Sequence, residues 1–411
     1  MSNFISDYIF YNSGNMCPVR YHQWAALSLL GMQVGRSVWL DQSYYEVYCM
    51  NYICLVGLQG SRKSTAKNEA RKMFKEINPN YPIGASVTSR EKIVERMAVE
   101  SALRYFNTPE GLEVAYTPLA FFINELKNFL SIDIEKMIEF LTDVYDEPMF
   151  DADTIKHGLQ PIVRPTINIL ACETPRWVIG KLKSEILSGG FSRRLLFVYE
   201  VAKPKYIAFP SVTLEMQLAA DRCKAHLEKL KLLSGCFAWE SQETKDYFEQ
   251  YFVKLPAIED EILEGFYNSR DTLALKFAMI LAVAEYEPKL VLTKSLLQAA
   301  FAFTATIEEN LPKLSIGLGR NVLALPQQKL MTILNDAGGF MQYKELRRKI
   351  EKELGWREQA EVFRHLEETE QVIRRSWKFT GGIEKEVIIT PEKFADLVKN
   401  GTIKVEKNGN V

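Results

Sequence analysis

The chain has 411 residues, enough for two or three domains, and a hydrophobic content of 47% suffices for a large core. Its 51 basic and 52 acidic residues nearly cancel, so no global positive field exists and any nucleic-acid contact must come from local patches. The six cysteines form no C-x-x-C pair and no metal-ligand spacing, which argues against a zinc site or a disulfide framework. No apolar run reaches membrane-spanning length, so we expect a cytoplasmic protein without membrane contact.

The first 200 residues predict a helical lead-in followed by a layered sheet. An apolar helical stretch, Trp24–Gly35, precedes a short strand-like segment at 37–40. From Cys54 to about Glu200, apolar runs typical of strands alternate with helical stretches, which predicts an α/β fold with parallel crossovers. The expected strands are Ile53–Val56, Leu119–Ile123, Thr166–Ala171 and Leu195–Tyr199.

The first strand runs into a segment that resembles a phosphate-binding loop. Residues 57–64 read GLQGSRKS, which fits G-x-x-x-x-G-K-[ST] except that Arg62 replaces the second glycine. In such a loop Lys63 reaches the β and γ phosphates, Ser64 holds Mg²⁺, and the following helix (66–77) contributes its amino-terminal dipole. The alternative is a turn and a basic helix start without a nucleotide. The predicted ATP-binding residues are Gly57, Gly60, Ser61, Arg62, Lys63, Ser64 and Thr65.

Polar residues follow two of the other expected strands. Glu125 is the candidate catalytic base, because a carboxylate at a strand end can orient an attacking water. Its neighbour Asn124 is expected beside it in the metal shell, although it lacks the charge of an aspartate. After the third strand, Thr174 offers a hydroxyl to the γ phosphate or the water. Glu125 as a helix-start acid and Thr174 as an ordinary strand exit are the plainer alternatives.

Two arginines, Arg193 and Arg194, open the fourth expected strand. An arginine supplied to the γ phosphate of a neighbouring subunit stabilises the transition state, and this would require an oligomer. The alternative is a salt bridge at the edge of a strand.

The second half of the chain is mostly helical. Residues 214–311 show helical periodicity, clearest in 273–284 and 296–307, and predict a helical lid subdomain. After a joint at 316–326, three helical stretches and two β-like runs around Gly381-Gly382 predict a winged helix. The expected domains are a lead-in (1–50), an α/β ATPase core (51–205), the lid (206–315) and the winged helix (321–411).

Taken in order, these segments resemble the AAA+ helicases of the MCM and superfamily III kind, and more closely a family of helicase-like ATPases of phages and mobile elements, often found beside primase domains. The resemblance covers roughly Pro18 to Ile307, and in that family a Gly-Ser-Arg-Lys-Ser loop is expected. It implies Walker A roles for Lys63 and Ser64 and the Walker B role for Glu125. It further implies the sensor 1 role for Thr174. It implies that Arg193 is the arginine finger, with Arg194 as the second choice. It implies the sensor 2 role for Arg270, which could instead be a solvated helix-start arginine.

The same resemblance implies where DNA is touched. Residues 150–163 read as a hairpin, and in the resembled helicases such a hairpin enters the ring channel, so Lys156 and His157 at its tip are the expected phosphate contacts. In the winged helix, basic clusters that include Arg347, Arg348, Arg374 and Arg375 could face duplex DNA. A protein-docking module is the alternative there, because the presumed recognition helix is acidic.

Together these observations favour an ATP-dependent DNA motor, a hexameric replicative helicase of a phage or mobile element acting on single-stranded or forked DNA, with a primase or replication initiator as a further partner. A second hypothesis is a loader or remodelling switch that acts on a protein. A third is a DNA-binding initiator with a degenerate nucleotide site, which Asn124, Thr174 and Arg62 together motivate.

Overall fold

The computed structural model describes residues 2–154, 158–181, 190–200, 206–255, 264–308, 324–350, 356–378 and 384–400. The chain divides into two compact units, Met1–Ser315 and Ile316–Val411. Its class is mixed α/β with parallel strands, as the alternation of strand-like and helical segments predicts. None of the helices within the described ranges is both long and apolar enough to cross a membrane.

Helices and strands are interspersed along the first unit. The helices are α1 (Phe4–Asn12), α2 (Val19–Val34), α3 (Lys63–Ile77), α4 (Arg90–Met97), α5 (Leu126–Phe129), α6 (Ile134–Asp143), α7 (Pro175–Lys181), α8 (Leu214–Leu230), α9 (Gln242–Val253), α10 (Glu264–Tyr267), α11 (Arg270–Ala284) and α12 (Lys294–Glu308). The strands are β1 (Val38–Asp41), β2 (Glu46–Tyr48), β3 (Tyr52–Val56), β4 (Arg104–Asn107), β5 (Glu113–Ile123), β6 (Met149–Thr154), β7 (Gly158–Val163), β8 (Pro165–Glu173), β9 (Leu195–Tyr199), β10 (Gly235–Cys236), β11 (Ala238–Trp239) and β12 (Val291–Leu292).

A five-stranded sheet in the order β4-β5-β8-β3-β9 organises the first unit. Strands β5, β8, β3 and β9 are parallel, and β4 is an antiparallel edge strand. All residues of β3 and β8 are buried, as expected for strands covered on both faces. Each of the four strands expected from sequence lies within one of the four parallel strands, so those predictions are confirmed.

Parallel register brings the ends of these strands together. Val56 pairs with both Glu173 and Tyr199, and Ile123 pairs with Ala171, so the residues that follow β3, β5, β8 and β9 meet at one edge of the sheet. We call this the carboxyl edge and the opposite one, where Tyr52 pairs with Leu195, the amino edge. Open α/β sheets bind ligands outside the carboxyl ends of their strands.

Helices from distant parts of the chain cover this sheet. Helix α2 packs against β3 and β8, and α3 packs against β5 and β8. The α11–α12 pair reaches α2, where the Trp24 ring contacts Phe277 and Phe303 edge-on. Helix α8 packs on α1, so the amino-terminal residues and the helical part from 214 onward stabilise each other. The helical stretches expected at 273–284 and 296–307 lie within α11 and α12 and are confirmed.

The second unit combines helices with a small antiparallel sheet, in which β13 (Phe340–Gln342) and β14 (Ile373–Lys378) flank β15 (Glu384–Ile389). Its core includes Leu330, Leu346, Phe363 and Ile388. The three-residue strand β13 was not expected from the sequence, because it is too short to show an alternation. The elements are α13 (Ala324–Asp336), β13 (Phe340–Gln342), α14 (Tyr343–Ile350), α15 (Trp356–Glu368), β14 (Ile373–Lys378), β15 (Glu384–Ile389) and α16 (Pro391–Lys399).

Candidate functional site

The loop of residues 57–62 carries the chain from β3 into α3 at the carboxyl edge. Gly60 (φ 80°) and Arg62 (φ 65°) both have left-handed backbone conformations. Arg62 therefore adopts the conformation that a glycine would take more easily. Helix α3 begins at the next residue, Lys63, without a side-chain cap. In the first turn, the Thr65 N–H donates to the Arg62 carbonyl (2.9 Å), whereas no side chain caps the N–H groups of Lys63 and Ser64, which can therefore receive an anion.

The base of this loop admits only glycine at position 57. The Tyr21 hydroxyl, from α2, donates a hydrogen bond to the Val56 carbonyl (2.8 Å). A Cβ atom on Gly57 would lie 2.0 Å from that hydroxyl oxygen and 2.7 Å from Ser61 Oγ. Both distances are too short for a side chain at this position, so close packing requires glycine at residue 57.

The Lys63 ammonium bonds to the loop itself. Its Nζ donates to the carbonyl oxygens of Gly57 (3.0 Å) and Leu58 (3.2 Å). The Ser64 hydroxyl lies beside the buried thiol of Cys172, and burial raises the pKa of Cys172 to about 12. The thiol is therefore neutral at physiological pH and adds no negative charge to the site.

Asn124 and Glu125 follow β5 at the same edge, as expected from the sequence, and both are exposed. The buried ammonium of Lys67, one turn along α3 from Lys63, donates a hydrogen bond to Asn124 Oδ1. The Glu125 carboxylate forms an ion pair with Lys127 Nζ (3.1 Å) and accepts a hydrogen bond from Asn128 Nδ2 (3.1 Å). Burial lowers the pKa of Lys67, so this site holds a cation that the surroundings solvate incompletely.

Glu173, the last residue of β8, is a member of this edge that the sequence analysis missed. Its side chain is buried, with 1% of the residue surface exposed. Oε1 accepts hydrogen bonds from the Thr174 N–H (2.7 Å) and hydroxyl (3.1 Å), and Oε2 accepts one from the Lys127 N–H (2.9 Å). The Thr174 hydroxyl thus donates to Glu173. An acidic residue at the end of an otherwise apolar run was the signal that could have identified it.

These groups fit a magnesium nucleotide. Lys63 and the uncapped start of α3 supply positive charge for phosphates, and hydroxyl, amide and carboxylate oxygens of the kind that Mg²⁺ prefers come from Ser64, Asn124 and Glu125. The loop and the two strand ends therefore form one candidate site.

Arg193 and Arg194 lie at the amino edge, directly before β9. The length of β3 separates this edge from the 57–62 loop, a span of about 17 Å for five residues. Arg194 is held within the chain: Nη1 donates to the Gly190 carbonyl (2.8 Å), Nη2 lies 3.9 Å from Asp146, and the guanidinium lies 5.5 Å from the Tyr145 ring. Arg193 is exposed. Neither arginine is placed at the loop of its own chain.

A cavity of about 780 Å³ opens beside these arginines. Lys276 lies in it with 3% of its surface exposed and donates a hydrogen bond to the Tyr145 hydroxyl (2.7 Å). Burial lowers the pKa of Lys276 to about 8. The lining mixes cations with acids and includes Arg36, Glu46, Tyr145, Asp146, Arg193 and Lys276.

Arg270, the first residue of α11, lies on the same side as Arg193. Its Nη1 lies 3.5 Å from Glu308, and its Nε donates to the Tyr267 carbonyl (3.1 Å). Its neighbours Ser269 and Thr272 line the amino-edge cavity. The structure therefore groups Arg270 with Arg193 and Arg194, and it does not bring Arg270 to the loop.

The expected hairpin forms from β6 and β7, and Thr154 pairs with Gly158. Lys156 and His157 fall between those two residues and lie outside the described residues. Strand β7 leads into the start of β8, so the hairpin emerges at the amino edge.

Of the four arginines in the second unit that are expected to contact DNA, two are held by other side chains and two are exposed. Arg374 bonds to Glu386 (2.9 Å), lies 3.7 Å from Glu367 and covers the Tyr343 ring at 3.9 Å. Arg347 donates from Nε to Gln359 (3.1 Å). Arg348 and Arg375, in contrast, are exposed.

No protein-family model matches the chain, and no match was found among curated proteins.

Proposed function

We propose that the chain is an ATP hydrolase with an AAA+ P-loop core that works as an oligomer and moves on DNA, as the replicative helicase of a phage or mobile element does. The observation that supports this most strongly is the convergence at the carboxyl edge. A glycine-restricted loop with Lys63, the uncapped start of α3 and the end of β5 with Glu125 meet there. Phosphoryl transfer depends on positioning and charge stabilisation, and these groups supply both.

In the proposed reaction, a water attacks the γ phosphorus of ATP in line with the bond to the leaving ADP oxygen. Glu125 orients that water and accepts its proton, and Lys63 neutralises charge on the γ phosphate. When bound, Mg²⁺, held by Ser64 with Asn124 and Glu125 nearby, would screen the phosphate charges. The Lys127 ammonium, 3.1 Å from the Glu125 carboxylate, lies next to the group that would receive the proton.

The position of Arg193 supports the proposal of an oligomer. It is exposed at the edge opposite the loop, so it would serve the nucleotide site of a head-to-tail neighbour rather than that of its own chain. Its neighbour Arg194 and the buried Lys276 both lie over the Tyr145 ring and add positive charge at this edge. Arg270 is buried and lies 3.5 Å from Glu308 of its own chain, so Arg193 is the arginine proposed for the neighbouring site. A closed ring of such contacts agrees with the proposed hexamer.

The proposed DNA contacts are the β6–β7 hairpin and the exposed arginines Arg348 and Arg375 of the second unit. The small sheet with α13–α15 supports a winged-helix interpretation of that unit. Exposed cations grip phosphates without reading sequence, as a motor requires.

The test is Mg²⁺-dependent ATP hydrolysis with and without single-stranded or forked DNA. Lys63→Ala and Glu125→Gln should each remove turnover, and Lys75→Ala, an exposed lysine on the same helix, should not. DNA should stimulate the wild-type protein. ATP binding without turnover in the wild type would overturn the hydrolase proposal.

A second candidate, a remodelling switch that acts on a protein, is favoured by one observation. Arg374 pairs with Glu386 and Glu367, and Arg347 donates to Gln359, so two of the four arginines expected to contact DNA are engaged within the unit. Turnover that is indifferent to DNA would select this candidate.

A further inference from the structure

We propose that Glu173 is a positioning residue for the catalytic carboxylate of Glu125, an inference that rests on the proposed hydrolase function. Glu173 connects three segments of the carboxyl edge. Its carbonyl accepts from the Gly57 N–H (3.2 Å), and its carboxylate accepts from Thr174 and from the Lys127 N–H. No other residue on this edge bonds to both the loop entry and the turn after β5 among the described residues.

Glu173 positions Glu125 through Lys127, by way of both its backbone and its side chain. The bond from the Lys127 N–H to Oε2 fixes the backbone two residues beyond Glu125. The same Lys127 places its ammonium 3.1 Å from the Glu125 carboxylate. Movement of Lys127 would therefore change both the direction of the Glu125 side chain and its ion pair.

A second buried charge holds the turn from the other side. Lys67 donates to Asn124, directly before Glu125, while Glu173 accepts from the residue that follows Leu126. The segment 124–127 is thus fixed at both ends by buried groups of opposite charge. Catalytic groups perform well only when such neighbours hold them within a fraction of an ångström.

Only a carboxylate satisfies all the donors that face position 173. Three donors reach its two oxygens: two N–H groups and one hydroxyl. A glutamine has one acceptor oxygen, so its NH₂ group would face an N–H donor on Lys127 or Thr174. The geometry also gives Thr174 a role, because its hydroxyl donates to Glu173.

The test compares Glu173→Gln with Asp7→Asn in the full-length protein. Asp7 is a matched control, since it is a buried carboxylate that accepts from Arg222, Tyr286 and Ser2 where α1 meets α8. For Glu173→Gln we expect kcat to fall at least about tenfold while the Kd for a fluorescent ATP analogue stays within about threefold. Asp7→Asn should lower Tm and leave kcat within about twofold.

Hydrogen exchange of peptides covering 124–130 gives a readout that does not require turnover. Exchange there should accelerate in Glu173→Gln and not in Asp7→Asn. A wild-type protein without ATPase activity would refute the proposed function, and the exchange data would still decide the positioning role. Unchanged exchange in 124–130, or a kcat within twofold of wild type, would overturn the proposal for Glu173.

Discussion

The buried ammonium of Lys67 donates a hydrogen bond to the side-chain oxygen of Asn124, one residue before Glu125. An amide at this position accepts the bond without neutralising the lysine. The carboxyl edge therefore carries one more net positive charge than it would with an aspartate, which opposes binding of a divalent cation.

Asn124→Asp should make Mg²⁺ bind more tightly. The new carboxylate would pair with Lys67 and add negative charge beside the magnesium position, so we expect the half-saturating Mg²⁺ concentration for hydrolysis to fall by about three- to tenfold. Asn80→Asp, which adds the same charge at an exposed position near the far end of α3, should leave it unchanged. An unchanged Mg²⁺ requirement in Asn124→Asp would contradict this account of the lysine.

Comparing Gly60→Ala with Gly111→Ala distinguishes the energetic cost of a strained backbone from a direct effect on ATP binding. Gly60 and Gly111 both have φ 80°, and a Cβ on either meets no atom within 4 Å. Alanine at either position should cost about 1 kcal/mol of unfolding free energy, measured by denaturant titration. Only Gly60→Ala should also weaken ATP binding, by about tenfold or more, because its methyl group occupies space beside the phosphates. Equal ATP affinities for the two variants would count against nucleotide binding at this loop.

Arg193 and Arg194 should differ in what their loss changes. Arg194→Ala removes bonds to Gly190 and Asp146 and should cost about 1–3 kcal/mol of stability. Arg193→Ala should leave stability within about 0.5 kcal/mol but lower kcat by about 10³-fold, as expected for an arginine that stabilises transition-state charge. Thermal unfolding and steady-state hydrolysis measure the two effects. If Arg194→Ala were as stable as the wild type and lost more kcat than Arg193→Ala, Arg194 would be the arginine that acts on the γ phosphate.

Lys276 should make stability depend on pH. Burial lowers its pKa from the ordinary lysine value of 10.5 to about 8, so between those values the unfolded chain binds more protons than the folded one. Its contribution to stability therefore rises as pH rises through this window. Relative to Lys276→Met, the wild type should gain about 2 kcal/mol between pH 7 and pH 10, measured by urea unfolding. Parallel pH curves for the two proteins would show that Lys276 keeps its proton.

The two exposed arginines of the second unit should govern its DNA affinity. Arg348→Ala combined with Arg375→Ala should weaken binding to DNA and reduce the salt dependence of log K by about two counterions. Arg374→Ala should chiefly lower the stability of the unit, since it removes two ion pairs and a ring contact. DNA binding that survives the double substitution would favour the protein-docking interpretation.

Sequence alone predicted the parts of this molecule that local patterns specify. The four parallel strands appear as buried apolar runs, and the motif from Gly57 to Ser64 identifies the candidate loop between β3 and α3. Periodicity does not show which distant residues pair, so the bond from Lys67 to Asn124 and the three bonds to Glu173 could not be predicted. Likewise, the sequence did not show that Arg270 is buried against Glu308, because that depends on how α11 and α12 pack.

The most direct test of the account is to mix two inactive variants, Lys63→Ala and Arg193→Ala. If each site takes its loop from one subunit and its arginine from the next, random mixing restores complete sites at about a quarter of interfaces. ATP hydrolysis should then reappear in the mixture, at up to about a quarter of the wild-type rate. A mixture that remains as inactive as its components would contradict a site shared between subunits.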